Sequence, residues 1–272
     1  MNLLIKSISL ILSTVLLIAC GGSSSDSNKP KPYSLDGYQG RNVNSDSLAG
    51  TWVSVSEQRD LLSGDNEAFE EYYDINKEYF VIDGSGNEFL KTSCTDNNGS
   101  IIEMNGDEIT VNGNTGLIVN NQYLFTSQEE KPLYSGYDHV TTSSFEMIKI
   151  SDSTEPFGLL ELTGDFWDGL ERSVDCFRQG YFYRENFMYD SYVNKEIYAI
   201  GLDYASAIKL EQYSGGWADI TIDIFGLSFL NDGTSISINS QSNTAHSIDI
   251  VGSDGFEGMV MKGNINIQLP IH

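Results

Sequence analysis

The chain is predicted to be all-β: two antiparallel β units, each a barrel or a sandwich, that follow a signal peptide and a flexible tether. Three observations predict this. Apolar and polar residues alternate with a period of two from Leu48 onward, Asn, Asp and Gly break the alternation at short intervals, and helical periodicity is confined to two brief stretches. With 40% hydrophobic residues among 272, the chain has enough apolar material to bury a large core or two modest ones.

Residues 1–19 read as a cleaved signal peptide, because Lys6 supplies a positive n-region and the apolar run from Ser7 to Ala19 is too short to span a bilayer. The run closes on Leu17-Ile18-Ala19-Cys20, which resembles the lipobox of bacterial lipoproteins. The resemblance implies cleavage before Cys20, diacylglycerol on its sulfur and further acylation such as palmitate. One acyl chain gives marginal anchoring and two or more give stable anchoring, since each buried methylene contributes about 0.8 kcal/mol. Gly21 stands where inner-membrane members often carry Asp, so the resemblance implies an outer-membrane lipoprotein, on the periplasmic face or the cell surface.

Residues 20–47 carry the modified cysteine and a Gly-, Ser-, Asp- and Asn-rich stretch with Pro30 and Pro32, without a period of 2 or 3.6. That composition predicts a flexible stalk with a root-mean-square span of about 30 Å, long enough to hold the fold clear of the membrane. Residues 48–152 are predicted as the first β unit and 153–272 as the second, divided at the polar break Ser151 to Pro156. In the segment 218–224, Ile220, Ile222 and Ile224 share one face while Asp219, Thr221 and Asp223 share the other. Ile109 with Val111, Phe145 with Met147, Ile236 with Ile238, Ile248 with Ile250, and Ile265 with Ile267 and Leu269 mark further strands. Asn98-Gly99, Asn105-Gly106 and Asp232-Gly233 supply the positive backbone angles of tight hairpins. Short helices are expected at Asp65 to Tyr73 and Arg184 to Val193.

Gly50-Thr51-Trp52 is similar to the Gly-x-Trp start of lipocalin-like barrels, which implies a tryptophan closing one end of the first unit and an apolar ligand inside it. The two cysteines left after lipidation, Cys94 and Cys176, are predicted to pair, because exported thiols meet an oxidising compartment.

A formal charge of −24 disfavours nucleic acid and anionic head groups. No zinc or serine-triad motif surrounds His139, His246 or His272, and no metal site is assigned. Calcium is the one cofactor the carboxylate and amide side chains suggest, at Asp83, Ser85, Asn87 and Glu88 or at Asp96-Asn97-Asn98. Glu161, Asp165, Asp168 and Glu171 are the carboxylates from which an acid and base pair for glycan cleavage would be drawn. The densest aromatic stretch supplies the predicted binding patch: Tyr181, Tyr183, Tyr189 and Tyr192 with Arg178 and Arg184. The leading expectation is therefore a membrane-anchored envelope lipoprotein that binds an envelope protein, a glycan or an apolar ligand without catalysis. A carboxylate-dependent glycan-active enzyme and a structural or assembly factor of the envelope are the alternatives.

Overall fold

The computed structural model describes residue 29 and residues 31–270, apart from 65–66, 86–87, 95–99, 106–107, 112–113, 120–121, 135–136, 165–168, 190, 203–205, 214–217, 225–226, 231–234, 243–244 and 254–259. The all-β expectation holds: the described residues form strands β1 (Gly50–Gly64), β2 (Glu67–Ser85), β3 (Glu88–Lys91), β4 (Ser100–Asn105), β5 (Glu108–Val111), β6 (Asn114–Val119), β7 (Gln122–Tyr134), β8 (Tyr137–Ser151), β9 (Gly158–Gly164), β10 (Leu170–Asn186), β11 (Ser191–Leu202), β12 (Ser206–Tyr213), β13 (Ala218–Ile224), β14 (Leu227–Leu230), β15 (Ser235–Ser242), β16 (Ala245–Ser253) and β17 (Val260–Gln268). Their paired ladders are antiparallel and belong to one large sheet.

In the first half, each strand from β1 to β8 pairs with the next, and β8 pairs back onto β1. The eight strands thereby wrap a common core instead of lying in one flat layer. Alternation supplies that core, because each strand turns one apolar residue in two inward. Trp52 (β1), Phe80 and Ile82 (β2), Phe89 (β3), Ile102 (β4), Ile109 (β5), Tyr123 (β7) and Met147 (β8) are buried together, with Ile118 (β6) packed against them. The Trp52 indole nitrogen donates to the Leu48 carbonyl at 2.8 Å, which satisfies the one polar atom this side chain brings inside.

In the second half, β9 to β13 pair in succession, and β17 pairs with both β16 and β9. Leu160 and Leu162 (β9), Ile200 (β11), Ile208 (β12), Ile248 and Ile250 (β16), and Ile265 and Ile267 (β17) form its interior. Burial of each such side chain stabilises by about 1.5–3 kcal/mol. The same cluster takes in Val53, Tyr79, Val81, Ile148 and Ile150 of β1, β2 and β8, so this second core draws on both halves. The polar break at Ser151 to Pro156 starts at the last residue of β8 and ends two residues before β9.

The halves also join edge to edge. Residues 70–80 of β2 pair with residues 176–186 of β10, from Glu70↔Asn186 to Cys176↔Phe80. Gly180 is required in this ladder: a Cβ there would stand 2.1 Å from Asn76 Oδ1 and 2.8 Å from the Ile75 carbonyl oxygen. The result is a run of long strands in the order β7–β8–β1–β2–β10–β11 that extends beyond the wrapped core.

Two local expectations are corrected here. Of the helix expected at Asp65 to Tyr73, residues 67–73 are instead the start of β2, and of the one at Arg184 to Val193, residues 184–186 end β10, residues 187–189 turn and residues 191–193 start β11; residues 65, 66 and 190 lie outside the described residues. Glu70 to Tyr73 pair with β1 on one side and β10 on the other, and ladders on both edges outweigh the weak local preference of acidic residues for a helix start. The tether is shorter than its composition implied. From Tyr33 the chain lies along the long-stranded sheet, with one turn of 3-10 helix at Asp36–Tyr38 and with Leu35, Tyr38 and Leu48 buried. Composition missed this because three apolar side chains spaced through a polar segment are enough to dock it.

Candidate functional site

The two faces of β10 divide the predicted aromatic patch. Tyr181 and Tyr183 fall on one face, and Arg178 and Arg184 on the other, because alternate residues of a strand point oppositely. On the tyrosine face, Tyr183 is buried and Tyr181 half-buried, and their hydroxyls donate to Glu185 (2.9 Å) and Glu196 (2.6 Å). Tyr73 of β2 packs on Tyr183, with ring centroids 6.5 Å apart.

The N-terminal strap lies over this face. Lys29 Nζ reaches Glu71 at 2.8 Å and stands 5.5 Å from the centre of the Tyr73 ring. Tyr38 meets Tyr79 hydroxyl to hydroxyl and edge to face, with Lys77 Nζ over the Tyr38 ring at 4.9 Å. Burial, together with the neighbouring Tyr181, Tyr198 and Glu196, pushes the Tyr33 phenol well above its ordinary range. At the far end of the strap, the Asn44 amide donates to Asp152, and Lys149 donates to the carbonyls of Asn44 (3.0 Å) and Ser47 (2.9 Å). Gln39, Gly40, Arg41 and Ser45 of the strap, with Gln122, Ile148 and Lys149, line an open cleft of about 490 Å3. The tyrosine face is thus occupied by the protein's own chain.

On the opposite face, Arg178 Nε donates to Asn76 Oδ1 at 2.9 Å and Arg184 Nε pairs with Glu70 Oε1 at 2.7 Å. The remaining two predicted residues are different in kind. Tyr189 is 75% exposed and Tyr192 59%, and they stand at the β10–β11 hairpin tip beside Met188 at 68%, Phe187 and Val193. Asn186 builds this turn: its carbonyl accepts from the Tyr189 amide and its side-chain oxygen from the Met188 amide. With the backbone held that way, consecutive apolar side chains are left facing outward. Met188 and Val193 were not predicted as site residues, although three large apolar residues in a row at a hairpin turn are a readable signal.

No match is found for this chain among protein families, curated proteins or solved structures. The chemistry of its surface therefore has to be read from its own side chains.

The acid and base groups are largely engaged within the sheet. Asp60, in the middle of β1, is fully buried and accepts from Thr141, from Gln58 at 2.7 Å and from His139 at 2.9 Å. Burial pushes its carboxyl up, but hydrogen bonds from Thr141, Tyr72, Gln58 and His139 outweigh that and hold it below the usual carboxylate range. Glu71 is also depressed: burial raises it, and Lys29, Tyr73 and Arg59 more than offset this. Glu161 and Glu171 face each other across β9 and β10 on an exposed surface, while Asp165 and Asp168 lie outside the described residues. Of the calcium candidates, Asn87, Asp96, Asn97 and Asn98 lie outside the described residues; Asp83 is exposed, and its carboxylate accepts from the Gly84 amide. His246 is buried and stacks on Phe177 at 4.8 Å, and burial pushes its imidazole below the usual range. His272 is outside the described residues.

Cys94 and Cys176 are joined by a disulfide with a Cα–Cα distance of 5.1 Å. Glu78 lies beside them, and its carboxylate and the two sulfurs fall within 4.8 Å of one another, the spacing of a metal-ligand set. The bond between the sulfurs removes the thiolates that such a site would need.

These titrations predict the acid response. His246 is neutral in the fold with a lowered pKa, so its contribution is complete above about pH 6.5, the unfolded value, and is lost as pH falls through that value toward the folded one. The depressed Asp60 and Glu71 contribute above about pH 4 and lose that contribution as pH falls through their folded values. Urea midpoints are expected to decline between pH 7 and 5.5 and again below pH 4, with His246→Gln flattening the first decline. An unchanged midpoint between pH 7 and 5.5 would contradict the neutral, buried histidine.

Proposed function

We propose that the protein is a lipid-anchored lipoprotein of the bacterial outer membrane whose β fold acts as a binding module. The observation that carries the reading is the docked strap. It couples Cys20, the residue that takes lipid in the Leu17-Ile18-Ala19-Cys20 pattern, to the folded sheet through nine residues ending at the Lys29–Glu71 pair. A segment serving only as a spacer has no reason to bury Leu35 and Tyr38; one that orients a domain on its anchor does.

Binding is favoured over catalysis because the exposed chemistry at the β10–β11 tip is aromatic and apolar, whereas Asp60 and His139 are tied into a network inside the sheet. A Tyr or Met side chain in water adds contact area at low conformational cost when a partner covers it. The test is fractionation of cells producing the wild type and Cys20→Ser. The wild type is expected in the outer-membrane fraction with lipid mass on Cys20, and the variant is expected to lose that mass and leave the fraction. Equal partitioning of the two chains would remove the anchor and the reading with it.

A further inference from the structure

We infer that the β10–β11 hairpin tip, formed by Phe187, Met188, Tyr189, Tyr192 and Val193, is a second membrane contact that enters the head-group region of the bilayer in which the lipid on Cys20 is embedded. The inference rests on the lipid anchor proposed above and names the partner of the exposed tip.

The first support is the length of chain between anchor and fold. Lys29 is nine residues after Cys20, which at full extension reach about 30 Å and as a flexible coil span about 15–18 Å. Lys29 is fixed on Glu71, and two residues before Glu71 the Phe69 carbonyl accepts from the Phe187 amide at 2.9 Å. The strap therefore begins at the tip end of the sheet, two residues along β2 from the rung that Phe187 joins. The opposite end of β1, at Gly50, lies 14 residues from Gly64, or about 45 Å along the strand. A lead of nine residues keeps the tip end, and not the Gly50 end, against the bilayer.

The second support is the chemistry presented there. Met188, Tyr189 and Tyr192 are each more than half exposed. Tyrosine and its apolar neighbours prefer the membrane interface, where the ring is buried and the hydroxyl stays wet. Among the described acidic residues near the tip, Glu70 pairs with Arg184, Glu71 pairs with Lys29 and Arg59, Glu185 accepts from the Tyr183 hydroxyl and Glu67 is exposed, while Asp190 lies outside the described residues. The chain's net charge of −24 selects zwitterionic over anionic head groups as the surface it contacts.

The experiment uses the full lipidated protein in phosphatidylcholine vesicles that carry a lipid-borne quencher at head-group depth. A fluorophore is placed by Met188→Cys in one sample and by Glu155→Cys in another; Glu155 is exposed near the Gly50 end, where Thr51 donates to the Ser153 carbonyl. Label at position 188 is expected to be quenched at least about threefold more than label at position 155. Equal quenching in protein that sediments with the vesicles overturns the tip contact and leaves the anchor standing. Protein that fails to sediment and lacks lipid mass on Cys20 overturns both. Tyr189→Asp in the position-188 sample is expected to lower the quenching toward that at position 155, and unchanged quenching would also overturn the contact.

Discussion

Trp52→Ala is expected to destabilise the fold by about 3–5 kcal/mol, a large share of the 5–15 kcal/mol that holds a typical domain together. The indole is 1% exposed and packs with residues drawn from strands β1 to β8 around the first core. Its removal leaves a cavity that the surrounding strands cannot collapse into, because each is held by ladders on both sides. It also strips the Leu48 carbonyl of its donor at the point where the strap enters β1. Urea unfolding checks the size, and thermal melting should show a fall of about 10 °C, given 2–4 °C per kcal/mol for a chain of this length. Trp52→Phe keeps most of the volume and loses the hydrogen bond, so it should fall between. A loss under about 1 kcal/mol in the alanine variant would mean that Trp52 does not organise this core.

The paired substitution Cys94→Ala with Cys176→Ala is expected to cost about 4–5 kcal/mol, chiefly through the unfolded chain. The bond spans 82 residues, and opening a loop of that length restores most of the conformational freedom that the link removes from the denatured ensemble. Alanine is the appropriate replacement because both sulfurs are buried and a serine hydroxyl would need a partner there. The wild type in reductant should melt with the double variant. Agreement between variant and oxidised wild type to within about 1 kcal/mol would show that the constraint does not operate, and separate mobilities on reducing and non-reducing gels would show whether the bond forms.

Local pattern and long-range pairing contributed differently to what was legible. Alternation located β13 at Ala218–Ile224 and the strands holding Ile109, Met147, Ile248, Ile265 and Ile267, because a half-buried strand writes its period directly into the residue order. The Cys94–Cys176 pair followed from compartment and count, with no geometry needed. The helix expected over Asp65 to Tyr73 fails at Glu70 to Tyr73 because acidic residues there suit a helix start, while the β10 ladder that holds these four as strand comes from residues more than a hundred positions away. The predicted aromatic patch was half right: the same stretch holds Tyr183, which the protein buries, and Tyr189, which it exposes. Residue type does not distinguish these two tyrosines; the strap and the hairpin turn do.

By itself, the sequence determined the all-β class, the positions of β5, β8, β13, β15, β16 and β17 and the cysteine partnership, since each depends on neighbours a few residues apart or on composition. The tertiary structure decided which faces are covered: that the segment from Tyr33 lies on the tyrosine face, that Asp60 is sealed in a network, and that Phe187, Met188, Tyr189, Tyr192 and Val193 meet solvent at the end of the sheet where Lys29 joins it. The physical reason is that a strand's period of two defines two faces without saying what lies against either, and burial is settled by contacts between segments far apart in the chain.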